Sequence, residues 1–342
     1  MGKFLPNKHK WYTVIMNGKI PKILTIGAAV QDVFLSNSEE FVAVCKNPEE
    51  CFMELTLGAK ADVNKVNFCT GGGATNAAVT FARQGLRAEF IGAVGDDPAA
   101  QAVLADLDKE GVDTSRVTVS KRYNTGYSVL LLAPNGERTI LTYRGASTHY
   151  QVDDFAIADA DADWLYLSSM SGKMDVLDQI LVEAKQQGMK VMFNPGKGEL
   201  KQMDRLKPLL DDIDILLVNR EEMKMIVHGE DLEELVLHGL NLVPVVIVSD
   251  GPNGVVASDG QTIVRAGMYE DVKVLDRTGA GDAFGSGFLS QYAQGKSLKQ
   301  SIIFASANST SVVTKIGAKT AILHKDVKLH DMPIQEKKVK AV

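Results

Sequence analysis

The sequence predicts an α/β domain built on a mostly parallel sheet covered on both faces. Three observations carry that prediction. Short apolar runs recur along the chain, helical patterns separate most of them, and the alternation persists over about 200 residues. The first run, Ile23-Leu24-Thr25-Ile26, ends in Gly27 and reads as a buried strand feeding a loop. Comparable runs follow at Ala88–Val94, Trp164–Leu167, Met189–Phe193, Ile213–Val218 and Val243–Val248. Met174–Gln187 and Glu221–Val227 carry the helical period between them. A strand–helix–strand repeat implies right-handed crossovers, hence parallel pairing with helices on both sides.

Two segments break the rhythm. Val33–Phe68 has short alternating pieces and no long helix. Gly126–Arg144 alternates more regularly around Pro134-Asn135-Gly136, a hairpin signal because Asn-Gly adopts the positive-φ turn. Together, at about 33–68 and 120–145, they are expected to form a small antiparallel sheet inserted into the main domain. Such a sheet cannot bury both faces alone, so it should cover a ligand, a second subunit, or both. Residues 1–21 read as an extension, 22–330 as the domain and 331–342 as a tail.

Composition narrows the function. Lys and Arg number 37 against 43 Asp and Glu, a net charge of −6, which argues against a nucleic-acid binder. The longest aliphatic run, Val243–Val248, falls far short of the roughly 20 residues a bilayer-spanning helix needs. No apolar stretch follows Lys3, Lys8 and Lys10, so the N-terminus does not read as a secretory signal. Cys45, Cys51 and Cys69 follow no metal-ligand spacing. They are expected to be free thiols of a cytoplasmic protein.

The sharpest chemical signal is Asp276-Arg277-Thr278-Gly279-Ala280-Gly281-Asp282-Ala283-Phe284. Small residues leave backbone N–H groups unshielded where the helical pattern Ala283–Gln294 begins. A glycine-rich turn opening a helix gathers free donors and the positive end of the helix dipole, the makings of a phosphate site. Asp282 lies in that field, where an ionised carboxylate can take a proton from an attacking alcohol. The bland alternative is an acidic residue stabilising a helix start. A second cluster, Gly71-Gly72-Gly73-Ala74-Thr75-Asn76, runs into another helix and completes no G-x-G-x-x-G dinucleotide fingerprint. Asn76 on its first turn offers an amide donor and acceptor that suit sugar hydroxyls.

Taken together these motifs resemble the ribokinase-like, or PfkB, family of sugar kinases. The Asp276–Phe284 segment is similar to the family's C-terminal signature; Gly71–Asn76 with Gly92-Ala93-Val94-Gly95-Asp96-Asp97 is similar to its N-terminal one. Asn219-Arg220-Glu221-Glu222 fits its N-x-x-E motif, Ser249–Gly254 its nucleotide loop, and Thr314-Lys315-Ile316-Gly317-Ala318 its closing turn. The likeness runs in order from about Lys22 to Leu323. It implies a three-layer α/β/α domain with a small β lid, and ATP and Mg²⁺ as cofactors. A homodimer through that lid is expected because its apolar alternation, Val129, Leu131, Ile140 and Tyr143 among others, exceeds what one small sheet can hide.

The resemblance also implies roles residue by residue. Asp282 would be the catalytic base, and the backbone of Gly279, Ala280 and Gly281 the anion hole. Asp32, Gly72, Gly73 and Asn76 would hold substrate hydroxyls, with Arg144 at the end of the second lid hairpin. Asn194, Ser249, Gly251 and Gly254 would approach the nucleotide. Asn219 and Glu222 would organise Mg²⁺ and phosphates through water; read without the resemblance, the pair is a helix cap. Asp276 occupies a position that binds a monovalent cation, K⁺, in some members.

The chain departs from ribose-specific members at Gly73, where they carry lysine, and at Val30, where they carry a polar residue. Ser306 stands where asparagine often lies near the adenine, and Arg277 replaces a commoner threonine. The expected activity is ATP-dependent phosphorylation of a hydroxymethyl group of a free sugar. A nucleoside kinase is the alternative, and a non-catalytic binding protein the reading from another class.

Overall fold

The computed structural model describes residues 19–36, 38–47, 50–133, 138–269 and 272–339. Its central sheet has nine strands in the order Ile334–Lys338, Thr262–Ala266, Val255–Ser258, Val245–Ser249, Ile215–Asn219, Lys190–Phe193, Trp164–Leu167, Lys22–Ile26, Arg87–Ile91. The six from Val245–Ser249 to Arg87–Ile91 are parallel, and the remaining three pair antiparallel.

Strand residues alternate between faces, so near-continuous apolar runs supply two cores at once. Leu24, Leu165, Leu167 and Phe193 pack with Leu177 and Ile180 of the helix Met174–Gln186. Ile23, Trp164, Tyr166 and Met192 point the other way, against Phe81 of Gly73–Arg83, Phe288 of Ala280–Tyr292 and Ile302 of Leu298–Val312. Three layers, α/β/α, result. Gly285 and Gly287 weaken the helix Ala280–Tyr292 as a helix, at about 1 kcal/mol each against alanine. Their place is explained by packing: a Cβ on Gly285 would meet the Tyr166 hydroxyl at 2.9 Å, and one on Gly287 would meet Ala305 at 3.2 Å.

A separate four-stranded sheet has the order Arg138–Tyr143, Gly126–Leu132, Val30–Ser36, Lys65–Gly71. It is not wholly antiparallel as expected. Val30–Ser36 and Gly126–Leu132 run parallel, which the long excursion of chain between them through the main domain permits. The antiparallel partner of Gly126–Leu132 is Arg138–Tyr143, as the alternation predicts. The expected Pro134-Asn135-Gly136 turn itself lies outside the described residues.

Three other expectations are corrected, and two helices are added. The run Ala88–Val94 is not one strand: it breaks at Gly92 into Arg87–Ile91 and Ala93–Gly95, and the second piece pairs with Thr118–Ser120. The helices Pro98–Lys109 and Leu298–Val312 have weaker sequence periodicity and emerge only in the structure. The expected tail contains the strand Ile334–Lys338, which completes the central sheet; its Lys337 pairs with Glu233 at 2.7 Å and its charged residues suit an edge. Cys45 and Cys51, expected as free thiols, form a disulfide, because the strands Ala43–Asn47 and Glu50–Met53 pair antiparallel and set the two opposite each other. Cys69 is the free cysteine among the described residues. None of the described helices is long and apolar enough to cross a membrane.

Candidate active site

The parallel strands end toward one edge of the sheet, and the loops beyond their carboxyl ends form a crevice, the usual ligand position in open α/β sheets. Gly279 is the N-cap of the helix Ala280–Tyr292, with φ at +78°, a left-handed conformation natural to glycine. The Ala280 amide reaches only Arg277 O, at 3.4 Å, and the first short bond is Ala283 N–H to Gly279 O at 2.8 Å. The amides of Gly281 and Asp282 between them lack a backbone acceptor, as the first turn of a helix must. Nothing crowds Gly281: a Cβ there would meet no atom within 4 Å.

Asp282 stands on that first turn, and the second glycine-rich loop comes to it. The Asn76 amide donates to Asp282 Oδ2 at 2.8 Å across 206 residues of sequence. Asn76 is buried, and its Oδ1 has no partner. Sequence reasoning gave Asn76 to substrate hydroxyls; the structure adds a contact with the carboxylate. A Cβ on Gly73 would lie 3.3 Å from Asp282 Oδ1 and 3.0 Å from Ser168 Cβ, so the helix Gly73–Arg83 comes this close only because residue 73 has no side chain. Burial holds the Asp282 carboxyl above its ordinary pKa, and the Asn76 bond works against that rise.

Asp32 lies in the strand Val30–Ser36, 6% exposed, with its carboxylate against Gly71. Burial pushes it up to about 6; the Ser128 hydroxyl and the Lys319 charge oppose the rise, while Asp276 and Asp282 add to it. Ser128 and Lys319 were missed from the sequence. Ser128 sits within the alternating run Tyr127–Leu132, and Lys319 follows the closing turn by one residue. The Lys319 ammonium, pushed down to about 8 by burial, donates to Thr70 Oγ1 at 2.8 Å and pairs with Asp106 at 3.3 Å. Gly72 is the N-cap of the Gly73–Arg83 helix. Arg144 is exposed at the start of a 3₁₀ turn, Gly145–Thr148, and makes no ion pair or side-chain hydrogen bond among the described residues.

Ser249, Gly251 and Gly254 line a cavity with Arg277, Ala280, Gly281 and Phe284. A neighbouring cavity shares Ser249 and Gly251 and adds Lys197, Lys201, Asn219 and Glu222. Asn219 and Glu222 form a reciprocal helix cap: Glu222 N–H donates to Asn219 Oδ1 and Asn219 N–H to Glu222 Oε2, both at 2.9 Å. The two residues thus meet the cap reading; Asn219 remains exposed and Glu222 is half-buried. Asn194 Nδ2 donates to Leu217 O at 2.8 Å. Asp276 is buried; it accepts from Thr278 N–H at 2.9 Å, the Thr278 hydroxyl at 2.6 Å and Gly317 N–H at 3.1 Å. No cationic side chain pairs with it among the described residues.

No group of three or more His, Cys, Asp or Glu that could hold a metal exists among the described residues. A hard cation arriving with its own waters and phosphate oxygens needs only one or two protein carboxylates, which Glu222 can provide. The two cavities share Ser249 and Gly251, and the first is lined by Val255, Met268, Val274, Phe284 and Val313 and reaches Ala280 and Gly281.

Comparison with known proteins bears on the family and the fold. The chain is 28% identical over 264 residues to a ribokinase of Haemophilus influenzae, covering 74% of this chain and 83% of that one. Among solved structures, the fold is similar to a nucleoside kinase of Methanocaldococcus jannaschii (TM-score 0.73, 21% identity, 89% of this chain and 95% of that one). It is also similar to a putative ribokinase II of E. coli in complex with ATP and Mg²⁺ (TM-score 0.75, 20% identity, 89% and 96%). The pfkB family carbohydrate kinase pattern matches residues 42–325, the stretch that holds both glycine-rich loops but not Asp32, and by that match the chain belongs to the pfkB family of carbohydrate kinases.

Proposed function

We propose that this ATP-dependent carbohydrate kinase phosphorylates a hydroxymethyl group of a free sugar, with Asp282 as the base. The observation that carries the reading is the meeting of two glycine-rich loops at one carboxylate on a helix N-terminus. Asp282 takes the hydroxyl proton as the oxygen attacks the terminal phosphoryl group. The amides of the Gly279–Gly281 turn receive the charge on that group, and positioning with electrostatics does most of the catalytic work. Glu222, beside Asn219, would hold Mg²⁺ through water, and the ion would neutralise charge on the phosphates. Asp276, a buried carboxylate without a cationic partner among the described residues, fits a monovalent cation such as K⁺. Ser249, Gly251, Gly254 and Asn194 border the nucleotide.

Asp32 and the free Oδ1 of Asn76 hold vicinal hydroxyls, Gly72 and Gly73 let the sugar ring approach the backbone, and Arg144 stands at the rim. The four-stranded sheet acts as a lid that excludes water. Phe68, Leu141 and Tyr143 are exposed on it, a face suited to a second copy of the chain. The unit that carries all this is residues 22–330 together with the edge strand Ile334–Lys338. ATP supply places the reaction in the cytoplasm, where the exposed Cys45–Cys51 pair meets thiol reductants.

The experiment compares kcat/KM for ribose, fructose, 2-keto-3-deoxygluconate, adenosine, inosine and cytidine. A sugar should lead. A nucleoside ahead of every sugar by more than tenfold would replace the sugar reading with that of a nucleoside kinase. Asp282→Asn should retain the fold and ATP binding and lose at least ~100-fold in kcat. Turnover within a few-fold of the parent would remove Asp282 as the base.

A further inference from the structure

One end of the nucleotide cavity has a chemistry that phosphoryl transfer does not use. Its walls are apolar, built from Val255, Met268, Val274, Phe284 and Val313. Among the described residues that line it there is no Asn, Gln, Asp or Glu, and its one charged lining residue, Arg277, is exposed and adjoins the Gly279–Gly281 turn. The helix Leu298–Val312 offers hydroxyls instead. Ser309 is committed, donating to Ala280 O at 2.9 Å. Ser306 and Thr310 line the same cavity four residues apart, hence on one helix face, and neither has a side-chain hydrogen-bond partner among the described residues. Ser306 is buried, so its hydroxyl has little bulk water to satisfy it once the cavity fills.

A purine edge is told apart by the order of its donors and acceptors. Adenine presents an amino donor beside a ring-nitrogen acceptor. Guanine and hypoxanthine present the reverse, a carbonyl acceptor beside an N–H donor. A fixed amide or carboxylate matches one order and leaves buried groups unpaired with the other, which discriminates strongly. A hydroxyl carries one donor and two lone pairs on a rotor and serves either order. Apolar walls read outline, and the three bases share the purine outline.

We propose that the phosphoryl-donor site accepts purine nucleoside triphosphates as a class, with Ser306 and Thr310 as rotating contacts to the base edge, and does not select adenine. This rests on the kinase reading, and the test separates the two. Titration calorimetry on the full chain with Mg²⁺ and no sugar measures binding of ATP, GTP and ITP independently of turnover. GTP and ITP dissociation constants within tenfold of that for ATP are expected. A wider gap overturns the proposal and leaves the kinase reading standing; no binding by any of the three overturns both. Ser306→Asn, checked for folding by its melting temperature, should widen the spread among the three beyond tenfold, whereas Ser306→Ala should weaken all three by a similar factor. A spread unmoved by Ser306→Asn, or three affinities unmoved by Ser306→Ala, overturns the assignment of the base edge to Ser306.

Discussion

Asp32 holds a carboxylate where the folded protein would rather have a neutral group, so its replacement should separate function from stability. In the ligand-free protein its pKa lies at about 6 instead of 3.8, with burial as the main cause. That difference corresponds to about 3 kcal/mol between the protonation states. The folded pKa is raised, so the stability linked to this group is fully present below pH 3.8 and is lost as pH rises through about 6. Asp32→Asn removes the charge and keeps the shape, and the Ser128 hydroxyl can pair with either side chain. At pH 7.5 the variant should gain up to about 3 kcal/mol, or about 4 °C in melting temperature for a chain of this length. Near pH 3.8 the two proteins should melt together. The same substitution should cripple sugar binding, and in the parent the sugar KM should climb as pH falls below about 6. Differential scanning calorimetry across pH 4–8 and steady-state kinetics provide both readouts. A variant that is no more stable at pH 7.5, or one that keeps the parental sugar KM, would refute the reasoning.

Asn76→Ala removes a 2.8 Å bond to the proposed base. Hydrogen bonds to charged groups contribute about 1.5–3 kcal/mol, so kcat should fall roughly 10- to 150-fold. Because Asn76 lowers the Asp282 pKa, its loss should also move the acid limb of the kcat profile to higher pH; a rise in sugar KM alone would confine Asn76 to substrate contact. Gly279→Ala places a Cβ against Ala318 at a positive φ, a strain of about 1–2 kcal/mol before any clash, and should raise the ATP KM and lower the melting temperature. An unchanged ATP KM would take the turn out of the phosphate site. Light scattering at rising concentration should report a dimer, and a monomer throughout would leave the apolar lid face without its second copy.

Features of fold and site that were legible in the sequence are those that local physics writes into adjacent residues. Short apolar runs marked the buried parallel strands, since a strand covered on both faces needs no alternation, as Trp164–Leu167 illustrates. Gly279–Gly281 marked the anion turn because a positive φ and bare amides both call for residues without side chains. The cap at Asn219 and Glu222 was readable for the same reason, its partners being three residues apart. The joining of the two inserted β segments into one sheet was also expected, but the particular side-chain contacts between distant segments escaped. The Asn76–Asp282 bond spans 206 residues, the Asp32 carboxyl is perturbed by burial that depends on two sheets, and Lys319 reaches Asp106 from the far end of the chain. The Cys45–Cys51 bridge depends on a register, and Ile334–Lys338 became a strand only because Thr262–Ala266 left an edge free for it. Sequence determines which groups and turns are available; tertiary packing sets the distances and the loss of water that decide what those groups do.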